Sequence, residues 1–259
     1  MLQLLVCSDV HTYVDNIRLA VHKMDRVDAI LIAGDQEAEE SRVLEACGDI
    51  PCYLVRGNND YYLDTEYPQE LLIDIFEDPG TSFRGPEICK VTELNYDSVP
   101  DTQGLPSCLS DNPVTSSIPV NLANSTNPAR PLSSLFARLF SNKKESPSRG
   151  LSFHAHKAKR PRTVSHRILM THGKEYNVPD ITLLARRAGM WDADIVIFGH
   201  THKFWDTQTA RGKVRLINPG CLLGNPDDHV RSYAGYEICS FAVLRIGFQG
   251  EIDVRHLYL

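Results

Sequence analysis

The sequence predicts an α/β fold, because short apolar runs alternate with helix-like periodicity through much of the chain and further strands follow near its end. A chain of 259 residues with 42% hydrophobic content can bury a sizeable core, and we expect a single domain spanning residues 1–259. The first sixty residues predict strand, helix, strand, helix and strand in turn: Leu2–Cys7, Val14–Met24, Ala29–Ala33, Glu37–Ala46 and Cys52–Val55. Strands connected in this way pair in parallel, with the helices on the faces of the sheet.

The same alternation resumes in the second half of the chain. We expect a strand at Arg167–Met170, a helix at Val178–Met190 and a strand at Asp194–Phe198. The remainder resembles antiparallel strands, at Lys203–Thr209, Val214–Ile217, Ile238–Ile246 and Ile252–Tyr258.

Between these halves, residues 97–162 interrupt the pattern. The stretch is rich in Ser, Pro and Asn and then becomes basic at Lys157–Arg162, and its main apolar segment is Leu132–Phe140. Since so long a loop is unusual within a compact domain, we interpret it as a flexible insertion. The pair His154 and His156 follows no convincing strand, so we do not expect a metal site there.

Composition limits the possible partners and compartments. The net charge of −6 provides no overall basic field, so nucleic acid is a possible partner that nothing specifically indicates. Seven cysteines without a CxxC pair favour buried free thiols in a reducing compartment. The apolar start of the chain is too short for a membrane span, and we expect a cytoplasmic protein that makes no membrane contact. The sequence is compatible with a homo-oligomer.

Five short fragments place potential metal ligands directly after predicted strands. They are Ser8–His11, Gly34–Asp35, Gly57–Asp60, Thr171–Gly173 and Gly199–His202, and their candidate ligands are Asp9, His11, Asp35, Asn58, His172, His200 and His202. The carboxyl ends of parallel strands meet at one edge of a sheet, where α/β proteins place their sites. Oxygen and nitrogen ligands without sulfur suit Mn²⁺ first, with Fe²⁺, Co²⁺, Ni²⁺ or Zn²⁺ as alternatives. A carboxylate such as Asp35 can bridge two cations, so the set predicts a two-metal hydrolytic site.

These motifs together resemble the calcineurin-like metallophosphoesterase superfamily, over about residues 1–94 and 165–259. They are most similar to its small bacterial and archaeal phosphodiesterase branch, which also includes the retromer phosphoesterase-like subunit. The resemblance implies a four-layer αββα sandwich and a site near Asn218–Gly220. It also implies one metal held by Asp9, His11, Asp35 and His202, and a second held by Asp35, Asn58, His172 and His200.

The sequence departs from the family pattern at one position. Many members have His after the metal-binding Asn, where it contacts the phosphate and assists the leaving group, whereas this chain has Asn59. An amide can donate a hydrogen bond to a phosphate oxygen but cannot deliver a proton near neutral pH. Two further candidates are Asp60, which could orient a ligand, and Arg56, which could meet the substrate phosphate or pair within its loop.

The hypothesis that follows is a metal-dependent phosphoesterase that acts on a phosphate ester, with a diester as the favoured substrate. The alternatives are a scaffold of the same fold that binds protein partners, and a nuclease or nucleotide phosphatase. The metal content of the purified protein would distinguish the scaffold from the enzymes, because a scaffold does not need a complete set of metal ligands.

Overall fold

Thirteen strands form the framework of the described residues, which are 1–62, 67–77, 85–98, 164–209, 212–228, 232–233 and 235–259 of the computed structural model. These residues belong to one compact unit, Met1–Ser98 with Ala155–Leu259. A second unit, Val99–His154, lies outside the described residues. The predicted insertion, with Leu132–Phe140, His154, His156 and the basic run Lys157–Arg162, therefore remains a sequence prediction.

The first sheet has five strands in the order β13-β12-β1-β2-β3. Its strands are β1 (Leu2–Cys7), β2 (Ala29–Ile32), β3 (Cys52–Leu54), β12 (Ser240–Ile246) and β13 (Ile252–Tyr258). β1, β2 and β3 are parallel, as the helical crossovers require, while β12 and β13 extend the sheet in antiparallel pairing. The crossovers are α1 (Asp15–His22) and α2 (Glu40–Cys47), and α2 ends at Gly48, whose φ of 65° suits a helix terminus.

The second sheet has six strands in the order β5-β4-β6-β7-β9-β8. They are β4 (Glu70–Phe76), β5 (Glu87–Leu94), β6 (Val164–Thr171), β7 (Ile195–Ile197), β8 (Phe204–Gln208) and β9 (Arg215–Pro219). The helix α3 (Thr182–Met190) connects β6 to β7. A short hairpin, β10 (Ser232–Tyr233) with β11 (Tyr236–Glu237), stands apart from both sheets.

The two sheets pack face to face around the main core. Alternate residues of β1, such as Leu4 and Val6, share this core with Ile73 of β4 and Ile168 of β6, and all four are fully buried. On the outer face of the second sheet, a smaller core includes Leu184 of α3. On the first sheet α1 contacts both β1 and α2. The layers are therefore helix, sheet, sheet, helix, which confirms the predicted αββα sandwich.

Several elements differ from the sequence predictions. β9 pairs in parallel with β7, so the last part of the chain is not wholly antiparallel. α2 begins at Glu40 rather than Glu37, because Glu37 has a φ of 49° and donates its backbone N–H to Asp60 Oδ1. α3 begins at Thr182, whose backbone N–H donates to Asp180 Oδ1 at 2.9 Å. The strands β4, β5, β10 and β11 were not predicted.

One buried ion pair joins α3 to β4, and its arginine also holds the segment that follows β5. Arg187 on α3 donates from Nε to Glu70 Oε2 at 3.0 Å, and both side chains are buried. Its other guanidinium nitrogens donate to the carbonyl oxygens of Asn95 and Ser98. Tyr176 completes the network by donating its hydroxyl to Glu70 Oε1. The network fixes the backbone just before residue 99.

Cys7, Cys47, Cys52 and Cys221 are buried free thiols, as predicted, whereas Cys89 is exposed. Across the described ranges, no helix has both the length and the apolar character needed to cross a bilayer.

Candidate metal centre

Seven polar side chains meet where five parallel strands end. Asp9 and His11 follow β1, Asp35 follows β2 and Asn58 follows β3, while the second sheet contributes residues after β6 and β7: His172, His200 and His202. Asp9, Asp35 and His172 are almost completely buried. The edge of the sandwich predicted from the sequence thus gathers all seven candidate ligands.

One half of the site contains Asp9, His11 and His202, each of which offers an atom within 4.8 Å of the others. His202 Nε2 lies 3.2 Å from Asp9 Oδ1 and 3.1 Å from His11 Nε2. Asp9 Oδ1 is buried and has no hydrogen-bond partner of good geometry. A buried carboxylate oxygen left in this state is costly, and a bound cation would satisfy it.

The other half contains Asp35, Asn58, His172 and His200. His172 Nε2 lies 3.1 Å from Asn58 Oδ1 and 3.3 Å from Asp35 Oδ2, and the His200 ring centroid is 5.2 Å from that of His172. His172 Nδ1 donates to the carbonyl oxygen of Ala33 at 2.8 Å, which turns Nε2 toward the other ligands. Asp9, Asp35 and His172 also lie within reach of a common ion, so the two halves are contiguous.

The backbone is strained at five of these seven residues. The φ values lie between 45° and 70°, a backbone region that residues other than Gly rarely adopt, at Asp9, His11, Asp35, His200 and His202. Such strain persists only where surrounding structure enforces it, and it clusters at functional sites. Here the loops after β1 and β2 are joined by backbone hydrogen bonds. The Asp9 N–H donates to the carbonyl oxygen of Gly34 at 2.9 Å, and the His11 N–H donates to the carbonyl oxygen of Asp35 at 3.0 Å.

Glycines allow the loops to approach this closely. A Cβ on Gly57 would lie 2.0 Å from Asp35 Oδ1 and 2.2 Å from Asp35 N. A Cβ on Gly199 would lie 2.7 Å from Asp9 Oδ2. Any side chain at either position would displace a carboxylate of the site.

The electrostatics keep both carboxylates ionised. Burial alone would raise the pKa of Asp9 and Asp35, but hydrogen bonds and charge from neighbouring histidines outweigh burial and lower both pKa values. Burial would lower the pKa of His172, yet the two carboxylates dominate and raise it to about 9. A cation bound by His172 Nε2 must displace this proton, so metal binding and protonation compete.

Comparison with known proteins identifies the family. The sequence matches the calcineurin-like phosphoesterase family over residues 2–204. The chain belongs to this family. A comparison with curated proteins gives no match.

Three solved structures of related fold span nearly the whole chain. A predicted phosphoesterase from Streptococcus pneumoniae is 15% identical with a TM-score of 0.47, covering 100% of this chain and 98% of that one. Vacuolar protein sorting 29 from Cryptosporidium parvum is 15% identical with a TM-score of 0.49, covering 100% and 97%. An archaeal phosphodiesterase is 16% identical with a TM-score of 0.46, covering 100% and 100%.

In the present chain, the Asn59 side chain faces the candidate ligand Asp35. It donates to Asp35 twice, from its backbone N–H to Oδ1 at 2.8 Å and from Nδ2 to Oδ2 at 2.9 Å. Asn58 Nδ2 in turn donates to Asn59 Oδ1 at 3.0 Å. The amide therefore orients the Asp35 carboxylate.

The other two candidate residues, Asp60 and Arg56, make contacts within the loops that carry the candidate ligands. Asp60 is buried, and its carboxylate accepts backbone N–H bonds from Asp35, Glu37 and Gly57 at 2.8–2.9 Å. Burial raises its pKa, although these three donors oppose the effect. The Arg56 guanidinium lies 4.3 Å from the centroid of the Tyr61 ring, so it pairs within its own loop.

The structure adds positioning residues that the sequence did not indicate. Glu37 Oε1 lies 2.8 Å from His11 Nδ1, which directs His11 Nε2 toward Asp9 and His202. Asn218 Nδ2 donates to the carbonyl oxygen of Gly199, so the predicted Asn218–Gly220 loop does support the site. Glu37 was hidden from sequence analysis because it was assigned to the start of α2.

Proposed function

We propose that this chain is a dinuclear metal-dependent phosphodiesterase, with Mn²⁺ as the preferred ion. The observation that supports the proposal is the buried Asp9 Oδ1, which has no hydrogen bond of good geometry, lies 3.2 Å from His202 Nε2, and is contiguous with the Asp35 and His172 cluster. Membership of the calcineurin-like phosphoesterase family supports the general reaction class.

We assign one ion to Asp9, His11, Asp35 and His202, and the second to Asp35, Asn58, His172 and His200. Asp35 is our proposed shared ligand because its Oδ2 lies 3.3 Å from His172 Nε2 and because Asp35 also clusters with Asp9, a ligand of the first ion. Bound ions supply Lewis-acid stabilisation of phosphoryl oxygens and the acidity that makes water nucleophilic near neutral pH.

The remaining residues organise this centre. Glu37 holds His11 in the tautomer that leaves Nε2 free for a ligand bond, and Ala33 does the same for His172. Asn59 holds the shared carboxylate. Since Asn59 cannot donate a proton to a leaving group, the site favours esters whose leaving group departs unaided.

The natural setting of the activity is also part of the proposal. The buried free thiols of Cys7, Cys47, Cys52 and Cys221 fit a reducing compartment such as the cytoplasm. Phosphate esters are the proposed ligands.

The test is hydrolysis of bis(4-nitrophenyl) phosphate and 4-nitrophenyl phosphate by the Mn²⁺-loaded full chain, since both substrates release the same phenolate. We expect metal-dependent turnover with the diester preferred. Asp35→Asn and His200→Ala should each lower kcat/KM by about a thousandfold, because the ions supply several kcal/mol of transition-state stabilisation. His22→Gln, on α1, is the control and should leave kcat/KM unchanged.

A protein that hydrolyses neither ester and contains less than one tightly bound ion per chain would contradict the proposal. That result would favour the binding scaffold. Preference for the monoester would contradict the diesterase assignment alone.

A further inference from the structure

An exposed aromatic ring borders the metal centre. Tyr236 on β11 is 43% exposed, and its ring centroid lies 4.8 Å from that of His202 at an interplanar angle of 59°. One side of the ring therefore covers a candidate ligand while much of the remainder is open to solvent. The hydrogen bonds described above between the site loops do not use this ring.

The strand that carries Tyr236 is fixed to the site on two sides. The next residue, Glu237, donates its backbone N–H to the carbonyl oxygen of His202 at 2.6 Å and accepts from Cys221 N–H at 3.0 Å. Tyr258 also donates its hydroxyl to Glu237 Oε2. The ring is thus held in place beside His202, and a fixed ring loses little conformational entropy on contact with a ligand.

A second aromatic ring belongs to the opposite group of loops. Tyr61 directly follows Asp60, is 55% exposed, and is held under the Arg56 guanidinium. The loop after β3 and the hairpin of β10 and β11 therefore each present an exposed tyrosine. Exposed phenol rings beside a phosphate site offer stacking surfaces for the organic part of an ester.

We propose that Tyr236 is a specificity-determining residue that stacks on a planar group of the ester, so that nucleoside phosphodiesters are preferred over aliphatic ones. The inference rests on the proposed phosphodiesterase function, since it concerns the substrate of the same site. Stacking of one base on one aromatic ring contributes about tenfold or more in affinity.

The test compares two probes that share a phosphate and a ribose and differ only in the base: adenosine 5′-monophosphate and ribose 5-phosphate. Calorimetry with the Mn²⁺-loaded full chain gives the ratio of their Kd values without requiring turnover. In the natural sequence we expect adenosine 5′-monophosphate to bind about tenfold more tightly. Tyr236→Phe should retain this ratio, and Tyr236→Ala should reduce it to about one. Phe248→Ala, which removes an exposed aromatic ring between β12 and β13 at the opposite end of the sheet, is the control and should retain the ratio.

Two results would overturn the inference. The first is a Kd ratio near one in the natural sequence. The second is a Kd ratio that Tyr236→Ala leaves unchanged; if both probes also bind more weakly by the same factor, the ring only supports His202. Metal content measured on each variant separates this last case from loss of the ions. Base-dependent binding without any metal-dependent hydrolysis would contradict the proposed function while retaining the role of Tyr236.

Discussion

Asp60 joins two loops of the site through one buried carboxylate, so its replacement should have a large and calculable cost. Oδ2 accepts from the backbone N–H groups of Asp35 and Gly57, and Oδ1 accepts from that of Glu37. Asp60→Asn can keep both bonds to one oxygen, but its amide nitrogen then opposes the third donor. Leaving one such donor unpaired costs about 1–3 kcal/mol. Asp60→Ala removes both acceptor oxygens, leaves all three donors unpaired, and should cost roughly 3–6 kcal/mol.

Urea unfolding of the metal-free protein measures these costs directly, because a loss of stability lowers the midpoint without changing the slope. Asp15→Asn is a matched control, since that carboxylate is 80% exposed and its replacement should change stability by less than about 0.5 kcal/mol. If Asp60→Ala unfolds within about 0.5 kcal/mol of the natural sequence, the carboxylate does not hold the loops as described.

Three other predictions concern separate parts of the molecule. Glu37→Gln should weaken Mn²⁺ binding about 10- to 100-fold, because it loosens His11, and calorimetry showing unchanged affinity would contradict this. Glu70→Ala should lower the unfolding free energy by about 3–5 kcal/mol, because it leaves the buried Arg187 guanidinium without its carboxylate partner. An unchanged midpoint of urea unfolding would contradict this. His166 lies 3.0 Å from Asp194, whose hydrogen bond raises the folded-state pKa of the imidazole. This hydrogen bond stabilises the folded state by at most about 1 kcal/mol; the effect is complete below pH about 6.5 and is lost as the pH rises through the folded-state pKa. His166→Gln should therefore flatten the pH dependence of Tm, and an unchanged pH dependence would refute this prediction.

The strands leading to the site were predictable because their apolar runs end abruptly at polar residues. β1 has the bounds Leu2–Cys7 that the sequence predicted, and β13 has the predicted bounds Ile252–Tyr258. The meeting of Asp9, Asp35 and His172 followed from parallel strands sharing one edge. These features depend on local pattern and topology, both of which the sequence carries.

Contacts that depend on distant loops could not be read in this way. Glu37 lies in an acidic segment that suits a helix, yet the Asp60 carboxylate captures its backbone N–H and holds it outside α2. β9 resembles part of an antiparallel meander, but β7 supplies a parallel partner. The short hairpin that carries Tyr236 has strands of only two residues, too few to produce a periodic signal. In the first two cases tertiary contacts override the local preference, and in the third the strands are too short to express one.

The central claim is that seven side chains hold two ions with Asp35 between them. A crystal structure of the full chain grown with MnCl₂, with data collected at the manganese absorption edge, tests this most directly. We predict two anomalous peaks about 3.5–4 Å apart, each in contact with Asp35. No peak at this edge of the sandwich, or a single peak that Asp35 does not contact, would contradict the claim.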